Sequence, residues 1–425
     1  MAKQQYLRAG LCTGLCLLLS ACAAPMLTTR NVEDFLRAPQ PDSKQSAVQK
    51  ALNAYLGETL QLKYPRGGEE MTPFLIQDFD GDGVDEAAVL YATPAKGQNV
   101  HLAILEQENA AWEVVYEVEG LSTEVERVET VDTKSGGVDL LVGYANASMS
   151  DKYLAAYAYQ NDTITSLLEQ AYSRFLVNQF DEAGTESLLL ISPGAPVLQH
   201  IVREENALTT VQALPLDERF VECVNLAVGE SKNGAGVVID GRLDSGALAS
   251  EFLLLQNGRL IAWPMVDKQI DSNAFDLSRR FQTELLSMDV DGDGSIEVPH
   301  IDRQINTLST ARRFYFVSWH DYLLDEPLKR EGIYDALYGY YVRLPKGWTE
   351  KVSVLDDATP NGNWQLRSRD GGTLFLSARI VPREAANGPY VHAAALGENR
   401  LLLYFGEGST GYDKKSVLSG ITVLE

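Results

Sequence analysis

The stretch from Phe74 to Tyr91, FLIQDFDGDGVDEAAVLY, sets five carboxylates within nine residues and then turns apolar. LLSMDVDGDGSIEVP repeats the arrangement from Leu285 to Pro299. A turn this crowded with like charge must raise the pKa values of its acids or draw in a cation. Counted from Asp78, the acids Asp78, Asp80 and Asp82 take positions 1, 3 and 5, Gly83 position 6, Val84 position 7 and Glu86 position 9. Asp289, Asp291, Asp293, Gly294, Ser295 and Glu297 fill the same positions in the second turn. Alternate carboxylates on a tight turn converge, glycine lets the backbone reverse, and the carbonyls of Val84 and Ser295 can face the same point. Hard oxygen donors in this number favour calcium over zinc or copper, so two calcium sites are expected. A metal-free Asp/Gly hairpin is the plainer alternative. The turns are not EF-hands: position 12 is Val89 or His300 instead of a bidentate Glu, and AAVLY and VPHI read as strands.

A coarser plan repeats between the turns. VERVETVDTKSGGVDLLVGY, FLVNQFDEAGTESLLLIS and FVECVNLAVGESKNGAGVVID each set a strand-like run, a polar glycine turn and an apolar run in order. Asp139 keeps an acid in the first, while Phe180-Asp181 and Gly184 in the second echo Phe79-Asp80 and Gly83. The apolar runs start near Ala87, Leu140, Leu188, Val237 and Val298, at intervals of roughly fifty residues. Each interval holds about four strand-like runs, the first being AAVLYA, VHLAILEQ, WEVVYEVEG and VERVETVD. The clearest helical signal precedes them. It runs from Ser46 to Gly57, with Val48, Leu52, Tyr55 and Leu56 on one face and Gly57 as a stop. Four antiparallel strands repeated radially make the blades of a β-propeller. The expected fold is therefore mainly β, a β-propeller of about five to seven four-stranded blades over residues 73–333, with PFLIQ completing the last blade.

DFDGDGVDEAAVLY and DVDGDGSIEVP resemble the FG-GAP or VCBS-type repeat of integrin-α-like propellers, in which a D-x-D-x-D-G-x-x-D/E loop binds calcium. The resemblance covers about Phe74 to Tyr322 and implies calcium on the acids and carbonyls named above. After EPLKREG the pattern changes. YYVRLPKGW is similar to the first strand and turn of PsbP/Mog1-like α/β sandwiches of exported lipoproteins, which implies a separate small α+β sandwich over 334–425. Trp348 and Trp364 read as core residues there.

The first residues, MAKQQYLRAGLCTGLCLLLSACAAP, carry Lys3 and Arg8 ahead of an apolar core from Leu11 to Leu19. That core is too short to span a bilayer and reads as an export signal over 1–21. Leu19-Ser20-Ala21-Cys22 resembles the bacterial lipobox, which implies diacylglyceryl attachment to Cys22, a lipidated tether over 22–45, and a lead-in with the helix over 46–72. An ordinary secretory signal that contains cysteine is the alternative. Cys12 and Cys16 leave with the signal, so Cys223 is the one thiol left and no internal disulfide forms. In its apolar run it reads as structural. The formal net charge of -23 opposes broad contact with nucleic acid.

No G-x-S-x-G elbow, H-E-x-x-H, Walker A loop or C-x-x-C pair is present. In Trp319-His320-Asp321 the imidazole and carboxylate sit on opposite faces of a strand. His300 is expected to pack beside the second turn. The expectation is an exported, lipid-anchored binding or scaffold module for a protein or glycan, held rigid by calcium, rather than an enzyme. The alternative is an envelope polysaccharide hydrolase or lyase with an acid pair assembled from distant strands. An importer's solute receptor is opposed by the lack of a βαβ pattern.

Overall fold

The runs that follow the turns are so rich in Val, Leu, Ile and Tyr that neither face of the strand suits water. The computed structural model makes most of them two-sided central strands. It describes residues 42–424 except 58–59, 110, 134–135, 180–185, 195, 206, 232–233, 264–265, 268–271, 302–312, 325 and 357–361. The expected signal, Cys22, the expected tether as far as residue 41 and the turn at Phe180-Asp181 and Gly184 lie outside the described residues. The last residues of that expected tether, Ser43 to Gln45, already belong to a helix.

Six antiparallel sheets of four or five strands follow one another along the chain. The first contains β1 (Gln61–Leu62), β2 (Phe74–Gln77), β3 (Glu86–Ala92), β4 (His101–Glu108) and β5 (Ala111–Glu119). The second is β6 (Glu124–Asp132), β7 (Val138–Ala145), β8 (Lys152–Gln160) and β9 (Thr163–Ala171). The third is β10 (Arg174–Gln179), β11 (Glu186–Ile191), β12 (Val197–Glu204) and β13 (Ala207–Pro215). The fourth is β14 (Phe220–Ser231), β15 (Gly234–Leu243), β16 (Leu248–Gln256) and β17 (Arg259–Ala262).

A two-stranded ribbon, β18 (Val266–Asp267) with β19 (Ser272–Asn273), precedes the fifth sheet. That sheet has β20 (Val298–Ile301), β21 (Phe314–His320), β22 (Leu328–Asp335) and β23 (Tyr340–Leu344). The sixth is built from β24 (Val352–Asp356), β25 (Trp364–Ser368), β26 (Leu374–Pro382), β27 (Val391–Leu396) and β28 (Asn399–Phe405), in the order β24-β25-β26-β28-β27. A last strand, β29 (Ile421–Val423), returns to pair with β23.

Packing explains why the sheets stack in series. β3 is buried along its whole length, and the apolar parts of β7, β11 and β15 are buried on both faces. Each such strand needs an apolar neighbour on either side. Ala88, Leu90 and Ile104 of the first sheet meet Val128, Val142 and Tyr157 of the second. Leu141 and Ala156 then meet Leu188 and Leu190 of the third. Leu189 and Ile191 meet Val237 and Ile239 of the fourth, and Val238 and Phe252 meet Ile296 and Val298 at the fifth. Phe314, Ile333 and Val342 of the fifth share a core with Trp348, Trp364 and Leu376, so both tryptophans are buried.

The expected propeller is not formed. The sheets are separate and none is closed or curled into a ring of blades. Two features show why. PFLIQ contributes β2, which pairs with β3 inside the first sheet from Phe74↔Val89 to Gln77↔Glu86, so it completes no last blade. The free face of the first sheet is covered by a helix, α1 (Ser43–Leu56), whose Val48 and Leu52 pack on Phe74, Val89 and Tyr91. A repeat of four-stranded units dictates sheets, but only end-to-end contact makes a ring. Here the end is sealed by a helix that begins with an Asp42/Gln45 capping box and stops at Gly57.

The fifth sheet also runs across residue 333, since β22 pairs with both β21 and β23. YYVRL is thus a strand of the same sheet as VPHI. Among the described residues no helix is long and apolar enough to cross a membrane.

Helix α1 acts as an end cap, so its buried face should matter and its outer face should not. Leu52→Ala, at a fully buried position, is expected to cost about 2–5 kcal/mol in urea unfolding. Tyr55→Ala, at a position 58% exposed, should stay within about 0.5 kcal/mol.

Candidate metal centres

Both acidic turns close hairpins of one design. Gln77 pairs with Glu86 across the first, and Met288 bridges to Glu297 across the second, so eight residues loop out in each case. Position 9 is therefore the first residue of the returning chain, and its side chain enters the protein. Glu86 is 4% exposed and Glu297 fully buried.

The turns hold their shape through Asp side chains that accept from the loop's own backbone, as Asx turns do. Asp78 accepts at Oδ1 from the Gly81 N–H at 2.7 Å and at Oδ2 from the Gly83 N–H at 2.9 Å. Asp289 repeats this with Gly292 at 2.6 Å and Gly294 at 2.9 Å. Gly83 and Gly294 both adopt φ of 91°, the left-handed region that position 6 requires. Glu86 accepts from the Phe79 N–H at 2.8 Å, and Glu297 from the Val290 N–H at 2.9 Å.

Carboxylate oxygens of Asp78, Asp80 and Glu86 lie within 4.8 Å of one another, as do those of Asp289, Asp291 and Glu297. Either cluster could hold a metal ion, and an all-oxygen donor set suits a hard divalent cation. Asp82 and Asp293 instead direct Oδ1 to the N–H groups of Val84 and Ser295, at 2.7 and 3.0 Å. The sequence pattern thus places five positions in each turn, and the structure brings three carboxylates of each together.

The two turns differ in their counter-charges, although burial pushes Glu297 up to about 7 just as it does Glu86. Burial pushes Glu86 up to about 7, helped by the charges of Asp80, Asp82 and Asp78 and opposed by the Phe79 N–H. Among the described residues no Lys or Arg forms an ion pair with Asp78, Asp80, Asp82 or Glu86, and the nearby Lys44 engages the exposed Asp85. In the second turn Lys329 Nζ lies 2.5 Å from Asp293 Oδ2, 2.7 Å from Glu297 Oε1 and 3.3 Å from Asp291 Oδ1. These bonds hold the Lys329 ammonium well above the usual lysine range, although burial opposes it. Lys329 has no partner motif in the sequence and was not among the expected site residues.

Each turn also clasps a neighbouring sheet. The Phe79 carbonyl accepts from the Val138 N–H at 3.0 Å, at the start of β7. A Cβ on Gly137 would sit 2.3 Å from that carbonyl oxygen, and one on Gly229 of β14 would sit 2.6 Å from the carbonyl oxygen of Gly294. Backbone therefore meets backbone at two glycines. The Asp78 turn joins the first sheet to the second, and the Asp289 turn joins the fifth to the fourth.

Other candidate chemistry is tied up in structure. Cys223 is buried and its thiol is pushed up to about 12 by burial. His300 stacks on His320 with ring centroids 4.1 Å apart and meets the Tyr322 hydroxyl at 2.7 Å. Asp321 caps the turn that follows it, accepting from the Leu323 N–H. Asp139 pairs with Arg203 across the second and third sheets, and the fully buried Asp240 pairs with Arg280 and accepts from Ser250 and Ser287.

No family model matches the chain, and no curated protein does. Among solved structures it has remote likeness to the rhamnogalacturonan lyase PL11 of Bacillus licheniformis, 12% identical, with 74% of each chain covered and a TM-score of 0.31. Another is Sqt1 of Chaetomium thermophilum, 12% identical over 83% of this chain and 99% of that one, with a TM-score of 0.29. At such scores neither establishes a common fold or speaks to activity.

The raised Glu86 carboxyl carries a pH signature in metal-free protein. Its folded pKa lies above its unfolded value, so the folded state binds the proton more tightly and loses that advantage as pH rises from about 4.5 through about 7. In chelator this loss should lower the melting temperature across that window, and Glu86→Gln should lessen the fall, leaving the share of the similarly raised Glu297. An equal slope in both proteins would contradict the assignment.

Proposed function

We propose that this chain is an exported, lipid-anchored, non-catalytic binding or scaffold module whose row of sheets is made rigid by calcium. The observation that supports it most is the Asp78 turn. A nearly buried Glu86 faces Asp78 and Asp80 with no ion-paired cation among the described residues, and the same loop grips the second sheet at Gly137. Asp78, Asp80, Glu86 and the Val84 carbonyl are the groups that would hold the ion, with Asp82 turning toward it. Calcium would then offset the crowded charge and lock the joint between sheets.

The lipid anchor rests on Leu19-Ser20-Ala21-Cys22. The partner class, protein or glycan, follows from a rigid β surface on an extracytoplasmic module. A hydrolase reading has less support, because the buried acids Asp139 and Asp240 are neutralised by Arg203 and Arg280 instead of facing each other across a cleft.

Thermal unfolding in millimolar calcium and in chelator tests the metal. Calcium should raise the midpoint of the natural protein and leave Asp80→Asn unmoved; identical midpoints in both buffers would sink the calcium reading.

Cell fractionation with crosslinking tests the rest. The natural protein should sediment with membranes and give one dominant protein or glycan adduct, while Cys22→Ala should stay unprocessed. Normal maturation of that variant removes the anchor, and a repeated absence of adducts removes the binding role.

A further inference from the structure

The two acidic turns share a ligand pattern, yet one is filled from within the protein. We infer that they take different cations: the Asp78 turn a divalent ion, and the Asp289 turn the ε-ammonium of Lys329. The inference rests on the calcium reading of the Asp78 turn only for its first half.

Lys329 contacts positions 3, 5 and 9 of the second turn at once, through Asp291, Asp293 and Glu297. Its side chain is only 12% exposed, so this is no loose surface pair. Position 1 does not separate the turns, since Asp289 accepts from the N–H groups of Gly292, Asp293 and Gly294 much as Asp78 accepts from those of Gly81, Asp82 and Gly83. The difference lies in positions 3, 5 and 9. Arg330 adds to the seal, with Nε 3.4 Å from Asp291 Oδ2 and a bond to the Val290 carbonyl at 2.9 Å.

The backbone aims this lysine. Trp319 pairs with Arg330 and His320 with Leu328, which leaves Lys329 as the extra residue of a β-bulge. A bulge re-aims the side chain it inserts and is a built feature of a strand. The same bulge recurs at the same register in the first sheet, where Ile104 pairs with Tyr116 and Leu105 with Val114. There the extra residue is Val115, packed against the apolar core. The second and third sheets carry it too, at Leu167 and Val211. Of these four equivalent positions only the one beside the Asp289 turn bears a charge. The Asp78 turn, with valine at its bulge, is left to recruit its cation from solution.

Calcium titration calorimetry on the whole exported domain, residues 23–425, separates the two halves. The natural protein should bind one equivalent. Lys329→Val, which copies the first sheet's bulge, should bind two, and Val115→Lys should bind none. Two equivalents in the natural protein, or one in a folded Lys329→Val, would overturn the lysine assignment while leaving the Asp78 site standing. No binding in the natural protein but one equivalent in Lys329→Val would keep the lysine assignment and refute calcium at the Asp78 turn. If Lys329→Val fails to fold, Asp291→Asn in the natural background decides: an unchanged single equivalent supports the inference, and its loss overturns it.

Discussion

A strand that is apolar on both faces cannot end a protein; it can only be an interior layer. β3, β7, β11 and β15 impose that condition one after another, and the architecture follows from it. Each sheet is stable only between two neighbours, so the interactions that matter are those between adjacent layers, as in other quasi-one-dimensional proteins. The ends then become the problem. At one end the answer is a helix with Val48 and Leu52 turned inward, at the other a five-stranded sheet whose far face carries exposed residues such as Arg379 and Tyr404.

Apolar packing alone leaves layers free to slide, and polar contacts between layers fix their register. Arg127 donates to the Phe175 carbonyl, Arg174 to that of Val224, and Trp263 to that of Tyr322. Asp240 with Arg280 is a fully buried ion pair in which Asp240 also accepts from Ser250, the Ser287 N–H and the Asn225 amide while Arg280 donates to Ser250. Further hydrogen bonds of this kind help offset the cost of burying charge. The acidic turns belong to this class of contact. They are the places where backbone of one sheet rests directly on a glycine of the next.

Much of this was readable in the residues. Apolar runs and turn chemistry marked the strands, an apolar face and the Gly57 stop marked α1 although its capping box at Asp42 and start at Ser43 were missed, and Asp/Gly spacing marked both acidic hairpins, because all of these are local. Cys223, Trp348 and Trp364 were legible as core for the same reason. What escaped depends on distant partners. Whether a series of sheets closes into a ring is decided by its two ends, and nothing in the repeat itself records that β2 pairs within the first sheet or that α1 covers it. YYVRL looked like the start of something new because its register with β22 is a tertiary fact. Lys329 was invisible for a sharper reason: its meaning lies in a bulge, and a bulge is a property of two strands.

The short strand β29 has a consequence for how the chain acquires its structure. The first four sheets are each made from one contiguous stretch, so their contacts are local and can form as soon as that stretch is available. The fifth is different, because Tyr340 waits for Val423. Between them lies the entire sixth sheet, which must be laid down before the strand can return. A chain folding from its N-terminal side would thus present an assembled row of early layers with one unfinished edge. Non-local pairing of this kind is slow to form and leaves an edge exposed meanwhile. The three residues that complete the sheet are therefore a clasp fastened after the sixth sheet, and they tie the assembly of the fifth layer to the chain that lies between β23 and β29.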